Sequence, residues 1–170
     1  MNRSSSVAEV MTRGVRSMAP TDTVQIAAQA MDEMNVGVIP VCDGGRVVGI
    51  VTDRDITLRV VAQALPNDST PLSEVMSTDV QTAHESDTVD EVIHRLQTAQ
   101  IRRLPVLDEH DELVGMLSLG DLAAKDEAAA AGEALSAISE PAEPDRSALS
   151  AASGSAGGGS ASGQASSRRQ

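Results

Sequence analysis

Two short stretches carry the residues best suited to chemistry: residues 49–55, GIVTDRD, and residues 115–121, GMLSLGD. In each, an apolar run ends in a hydroxyl residue, Thr52 or Ser118, and an aspartate follows three positions on, Asp55 or Asp121. The apolar run reads as a buried strand, and residues 56–64 and 122–131 read as helices. The motif thus lies where a strand hands over to a helix N-terminus, where unpaired N–H groups and the helix dipole favour an anion. A hydroxyl there can donate to a phosphate. A carboxylate beside it can accept from two neighbouring hydroxyls, such as those of a ribose. The same residues also suit a purely structural purpose, because Thr and Ser are good N-caps and an acid at the third helical position complements the dipole. One copy alone favours the cap. Two copies, equivalently placed, point to one nucleotide cleft per copy.

The elements that position these motifs recur with them. Residues 7–43 align without gaps on residues 72–108, at an offset of 65. One extra residue enters the turn after Asp108, and the match then resumes through Asp121. Such self-similarity predicts two copies of one supersecondary unit. Each opens with a helical turn, 7–11 and 72–76, followed by a short extended piece, 15–18 and 80–82. An amphipathic helix comes next, with an apolar stripe of Val24, Ala27, Ala28, Met31 and Met34 in the first copy. Val89, Val92, Ile93, Leu96 and Ala99 make the stripe of the second, where Thr88 and Glu91 form a capping box. Two strands then pair as a hairpin, 38–42 with 47–51 around Asp43-Gly44-Gly45, and 104–107 with 113–117. A copy spans only about 55 residues, a size at which a lone core is marginal. The two are therefore expected to pack together and share a core.

Composition excludes several functions. The 170 residues include no Phe, Tyr or Trp, so a bound base must sit between aliphatic side chains. The usual stacking platform for single-stranded nucleic acid is missing. The net charge is −12, and the cations are scattered apart from Arg102 with Arg103 and Arg168 with Arg169. That is the wrong distribution for neutralising a nucleic-acid backbone, so no nucleic-acid partner is expected. No apolar run reads as a signal peptide or membrane span, which gives the expectation of a cytoplasmic chain with no membrane partner. The single Cys42 makes no intrachain disulfide and reads as a small core residue. His84, His94 and His110 lie far apart, with neither metal-ligand spacing nor triad order. The methionines read as packing residues that fill gaps aromatics would otherwise occupy. No enzyme activity is expected. A helix over 121–138 is weakened by Gly132. Residues 139–170, rich in Ser, Ala and Gly, read as a disordered tail.

Taken together, EVM near the start of each copy, DTV before the helix, a proline before the first hairpin strand and VVGIVTDRD resemble the cystathionine-β-synthase (CBS) domain, present twice as a Bateman module. The chain is similar to stand-alone bacterial two-repeat proteins of the hypoxic response type. The resemblance implies an α/β (α+β) fold of two β-α-β-β-α repeats, over 7–65 and 72–130, packed as a pseudo-twofold pair. It implies clefts between the repeats for an adenosyl ligand: AMP, ADP, ATP or S-adenosylmethionine. Asp55 and Asp121 would hold the ribose diol, and Thr52 and Ser118 would meet phosphate. Arg102 and Arg103 would face the phosphates, whereas the matching Gly37 and Val38 carry no charge, so the two clefts are expected to be unequal. Alternation along a strand predicts that at most one of these arginines points inward. Leu119-Gly120 in place of Asp53-Arg54 makes the second motif the poorer one. The implied function is a regulatory sensor, a homodimer acting on a partner protein that the sequence does not name. The alternative is a ligand-free dimerisation or interaction module.

Overall fold

The computed structural model describes residues 5–124 and 128–139. The first repeat contains α1 (Val7–Val10), β1 (Thr12–Arg13), α2 (Val24–Met34), β2 (Val38–Asp43), β3 (Arg46–Thr52) and α3 (Asp53–Ile56), the last continued by a π-helical turn over Thr57–Val61. The second contains α4 (Leu72–Val75), β4 (Ala83–His84), α5 (Val89–Ala99), β5 (Arg103–Leu107), β6 (Leu113–Ser118) and α6 (Leu119–Ala124), and α7 (Ala128–Ile138) follows. The mixed α/β architecture of paired repeats is as expected. The β2–β3 hairpin closes through Gly44 and Gly45, whose φ angles of 57° and 86° lie in the left-handed region that favours glycine. The extended piece expected at 80–82 forms slightly later, as β4, which runs parallel to β5. Its counterpart in the first repeat is a single parallel bridge from Met18 to Val41.

The helix stripes differ from the pattern at two alanines. Ala30, nearer the Ala27–Met31 line, is buried, whereas Ala28 and Ala99 are exposed. The helix expected over 121–138 appears as α6 and α7, and Ala131 and Ala134 of α7 are buried against the second repeat. The tail expected from 139 lies, apart from Ser139, outside the described residues.

One shared core is not what forms. There are two buried clusters, and each is completed by the opening turn of the other repeat. Val7, Val10 and Met11 join the cluster built from Ala83, α5, β5, β6 and α6. Leu72 and Val75 join the cluster of α2, β2, β3 and Val60. The backbone makes the exchange reciprocal. Val7 N donates to Asp87 O at 2.9 Å and Ala8 N to Glu85 O at 3.0 Å; equivalently, Leu72 N donates to Asp22 O at 2.8 Å and Ser73 N to Pro20 O at 3.0 Å. The segment after each turn then crosses onto the other hairpin. β1 pairs with β6, Thr12 opposite Met116, to extend a sheet of order β1-β6-β5-β4, and Ser77 bridges Ile50 of β3. The crossing passes close over the glycine at the head of each motif. A Cβ on Gly115 would lie 2.6 Å from Thr12 O, and one on Gly49 would collide with Met76 Sδ.

Candidate functional site

Both motifs form the same local structure. Thr52 ends β3 and caps α3, and Asp55 Oδ2 accepts from Thr52 N at 3.0 Å and Thr52 Oγ1 at 2.7 Å. Asp121 Oδ2 accepts from Ser118 N at 2.8 Å and Ser118 Oγ at 2.6 Å. The second carboxylate oxygens differ. Asp55 Oδ1 lies 3.4 Å from Arg59 Nη2, and the same guanidinium donates to Val75 O at 2.6 Å and Ser77 Oγ at 3.1 Å. Asp121 Oδ1 accepts from Thr12 Oγ1 at 2.8 Å. Thr12 and Ser77 are equivalent residues of the repeat, so each motif is tied to the crossing segment of the other copy.

Two clefts flank these ties. The first, of about 640 Å³, is walled by Val38, Ile50, Ile101 and Pro105 and carries Thr52, Asp53, Arg54, Asp79, Gln81, Arg102 and Arg103. The second, of about 230 Å³, carries Ser118, Asp121, Thr12, Arg16 and Arg103 among Val15, Met34, Val36, Val38, Pro40 and Met116. Only the first falls within the usual volume range of small-ligand sites. Among the expected residues, the structure brings Thr52, Arg102 and Arg103 to the first cleft and Ser118, Asp121 and Arg103 to the second. Asp55 lines neither; Thr52 and Arg59 hold its carboxylate, and Asp53 stands at the wall of the first cleft instead. Asp53 fits there because Gly37 has no Cβ, which would lie 2.9 Å from Asp53 Oδ2. Leu119, in the place of Asp53, is buried in the second repeat.

The expectation that at most one of Arg102 and Arg103 points inward is corrected: both line the first cleft. Arg102 sits in the bend before β5, so strand alternation does not act on it. Arg16 and Thr12 escaped notice because no local pattern marks them. The exchange of opening segments is what carries them to the second motif.

The arginines divide by pairing. Five of the eight described are ion-paired: Arg13 with Glu85 at 2.9 Å, Arg16 with Glu33 at 3.5 Å, Arg46 with Asp111 at 3.9 Å, Arg59 with Asp55 at 3.4 Å and Arg95 with Asp87 at 3.3 Å. Arg54, Arg102 and Arg103 have no carboxylate within ion-pair distance among the described residues, and all three line the first cleft. In a chain of net charge −12, three unpaired guanidinium groups on one cavity make a site for an anion. Asp53 and Asp79 line the same cleft and offer acceptors for hydroxyl groups. No group of three or more His, Cys, Asp or Glu suited to a metal occurs among the described residues. No described helix is long and apolar enough to cross a membrane. Cys42, expected in the core, is half-buried on β2, and burial raises its thiol pKa while a hydrogen bond with Ser17 lowers it.

Comparison with known proteins agrees with this architecture. The family model described as "CBS domain" matches residues 7–62 and 72–127. The CBS domain-containing protein YhcV of Bacillus subtilis is 43% identical over 136 residues, covering 79% of this chain and 96% of that protein. The crystal structure of Hypoxic Response Protein I with two coordinated zinc ions superposes with a TM-score of 0.65 at 30% identity, over 71% of this chain and 98% of that one. The CBS domain pair of protein MJ0100, in complex with 5-methylthioadenosine and S-adenosyl-L-methionine, superposes with a TM-score of 0.63 at 28% identity, over 71% of this chain and 94% of that one.

Proposed function

The chain belongs to the CBS-domain family as a tandem pair, and on that premise we propose that it is a small regulatory module whose clefts bind an adenosyl nucleotide, with no catalytic chemistry or covalent cofactor of its own. One observation carries the reading: the described arginines without a carboxylate partner converge on the cleft beside the first motif. Arg54, Arg102 and Arg103 hold the phosphates there, and Thr52 donates its hydroxyl. Apolar Val38, Ile50 and Ile101 enclose the base in place of an aromatic ring. In the second cleft Asp121 accepts the ribose hydroxyls once Thr12 yields, and Ser118 meets phosphate. Asp55 reaches a ribose in the first cleft only by leaving Arg59. With three arginines against Asp53 and Asp79, the lining of the first cleft carries a net positive charge, which favours AMP, ADP or ATP over the cationic sulfonium of S-adenosylmethionine. The MJ0100 pair, which holds 5-methylthioadenosine and S-adenosyl-L-methionine, supports the adenosyl class. Ligand shifts the module only through different affinity for its two states. A cavity whose walls come from both repeats provides that difference.

The module acts as a cytoplasmic homodimer on a separate protein. The exposed Leu58, Val61 and Leu65 after the first motif support self-association. A monomeric mass in light scattering at high concentration would remove that part.

Calorimetric unfolding of the full chain with AMP, ADP, ATP and S-adenosylmethionine tests the ligand. At about 100 times its dissociation constant a true ligand adds ~2.7 kcal/mol of stability. One observation favours the other reading, a ligand-free interaction module: both motif aspartates already have hydrogen-bonded or ion-paired partners for both oxygens. That reading predicts no shift with any of the four at millimolar ligand.

A further inference from the structure

We propose that the two clefts share a single guanidinium, that of Arg103, so that anionic ligands in them compete for it. The inference rests on the nucleotide reading above and concerns its regulation. Val38 opens β2 and Arg103 opens β5, at equivalent positions 65 apart. These two residues are common to the walls of both clefts. The partition between the clefts is therefore built from the two strand starts, and the pseudo-symmetry is broken at the partition itself. One side presents a short aliphatic group. The other presents a long cation with no carboxylate partner to hold it to either side.

The clefts differ in what else they offer. The first has Arg54 and Arg102 besides. The second has Arg16, already ion-paired with Glu33 at 3.5 Å. A phosphate in the second cleft thus depends on Arg103, whereas the first holds an anion without it. Occupation of the first by a nucleotide draws the charge of Arg103 across the partition and weakens the second. Linkage makes the effect reciprocal. An uncharged adenosyl ligand exerts no such pull. The coupling is negative and depends on the ligand's charge.

Titration calorimetry of the full chain with AMP and with adenosine tests this, on the wild type, Gly37→Leu, which fills the first cleft beside Asp53, and Arg103→Gln. Unliganded thermal unfolding checks that each variant is folded. The second AMP step of the wild type is expected to be at least about fivefold weaker than AMP binding to the same cleft in Gly37→Leu, the lower end of ordinary coupling factors. Adenosine gives equal affinities in the two proteins, and in an Arg103→Gln background the AMP difference disappears. Val38→Arg serves independently of Gly37→Leu: a second guanidinium on the partition raises the affinity of the second AMP step. Two AMP sites that ignore each other, or a difference that survives Arg103→Gln, overturn the shared guanidinium and leave the nucleotide reading standing. Failure of AMP to bind either cleft overturns both.

Discussion

Asp121 holds three donors with one carboxylate: Ser118 N, Ser118 Oγ and Thr12 Oγ1. Its removal leaves Ser118 N without a partner and a crossing segment untied, whether or not a ligand binds, while Ser118 Oγ still caps the helix by accepting from the backbone N–H of residue 121. Asp121→Ala is expected to lower the stability of the unliganded chain by about 1–2 kcal/mol, the order of the hydrogen bonds lost, in denaturant unfolding followed by circular dichroism. Equal stability of variant and wild type would mean these bonds contribute nothing. Glu91 gives a pH prediction. The Thr88 backbone N–H, and next the Thr88 hydroxyl, hold its carboxyl below the usual carboxylate range. A carboxyl depressed in the folded state adds stability above its unfolded pKa, and the contribution is lost as pH falls through the folded value. Thr88→Val removes the hydroxyl but keeps the N–H, so the Glu91 carboxyl should move only part of the way up in an NMR titration. At this scale the sequence was informative about caps, because Thr-x-x-Asp and Thr-x-x-Glu are local. The Asp55–Arg59 pair was also within reach of the sequence, since its i,i+4 spacing puts the two side chains on one helix face. That spacing does not tell that the same guanidinium reaches on to Val75 O and Ser77 Oγ of the other copy.

The helices and hairpins follow from periodicities of 3.6 and 2 and from the Gly44-Gly45 turn, and they were legible for that reason. The exchange of opening turns was not, because its hydrogen bonds join residues 50–80 apart, such as Leu72 to Asp22 and Val7 to Asp87. The trace it left in the sequence is Gly49 and Gly115, which open the motifs. Each leaves room for the other copy's crossing segment, but the obstacles differ. Gly115 faces the backbone oxygen of Thr12, while Gly49 faces the Met76 side chain, with Cγ at 2.8 Å and Cβ at 3.2 Å behind the sulfur. Gly115→Ala should therefore cost about 1–3 kcal/mol as an overpacked contact, and Gly49→Ala distinctly less. Thermal unfolding of the pair decides it; a larger loss at Gly49 would contradict the account of the crossing.

For the molecule as a whole, each repeat is incomplete without the other's first turn. Leu72 belongs to the second repeat by sequence and to the first by packing. Leu72→Ala should cost ~2–5 kcal/mol. Hydrogen exchange should then report the loss in α2 and β3 before α5. The two repeats should unfold in one transition, and two resolved transitions would contradict their mutual completion. Charge is also a whole-molecule property. The acidity of the chain was visible as a sum, but the pairing that leaves Arg54, Arg102 and Arg103 unmatched on one cavity appears only after folding. The most direct test of that central claim is AMP affinity by titration calorimetry, wild type against the Arg54→Gln/Arg102→Gln double variant, with adenosine as the uncharged control. Loss of charge-assisted bonds of about 1.5 kcal/mol or more predicts at least a roughly tenfold weaker AMP and unchanged adenosine. AMP bound equally well by both proteins would contradict the assignment of this cleft to an anionic nucleotide.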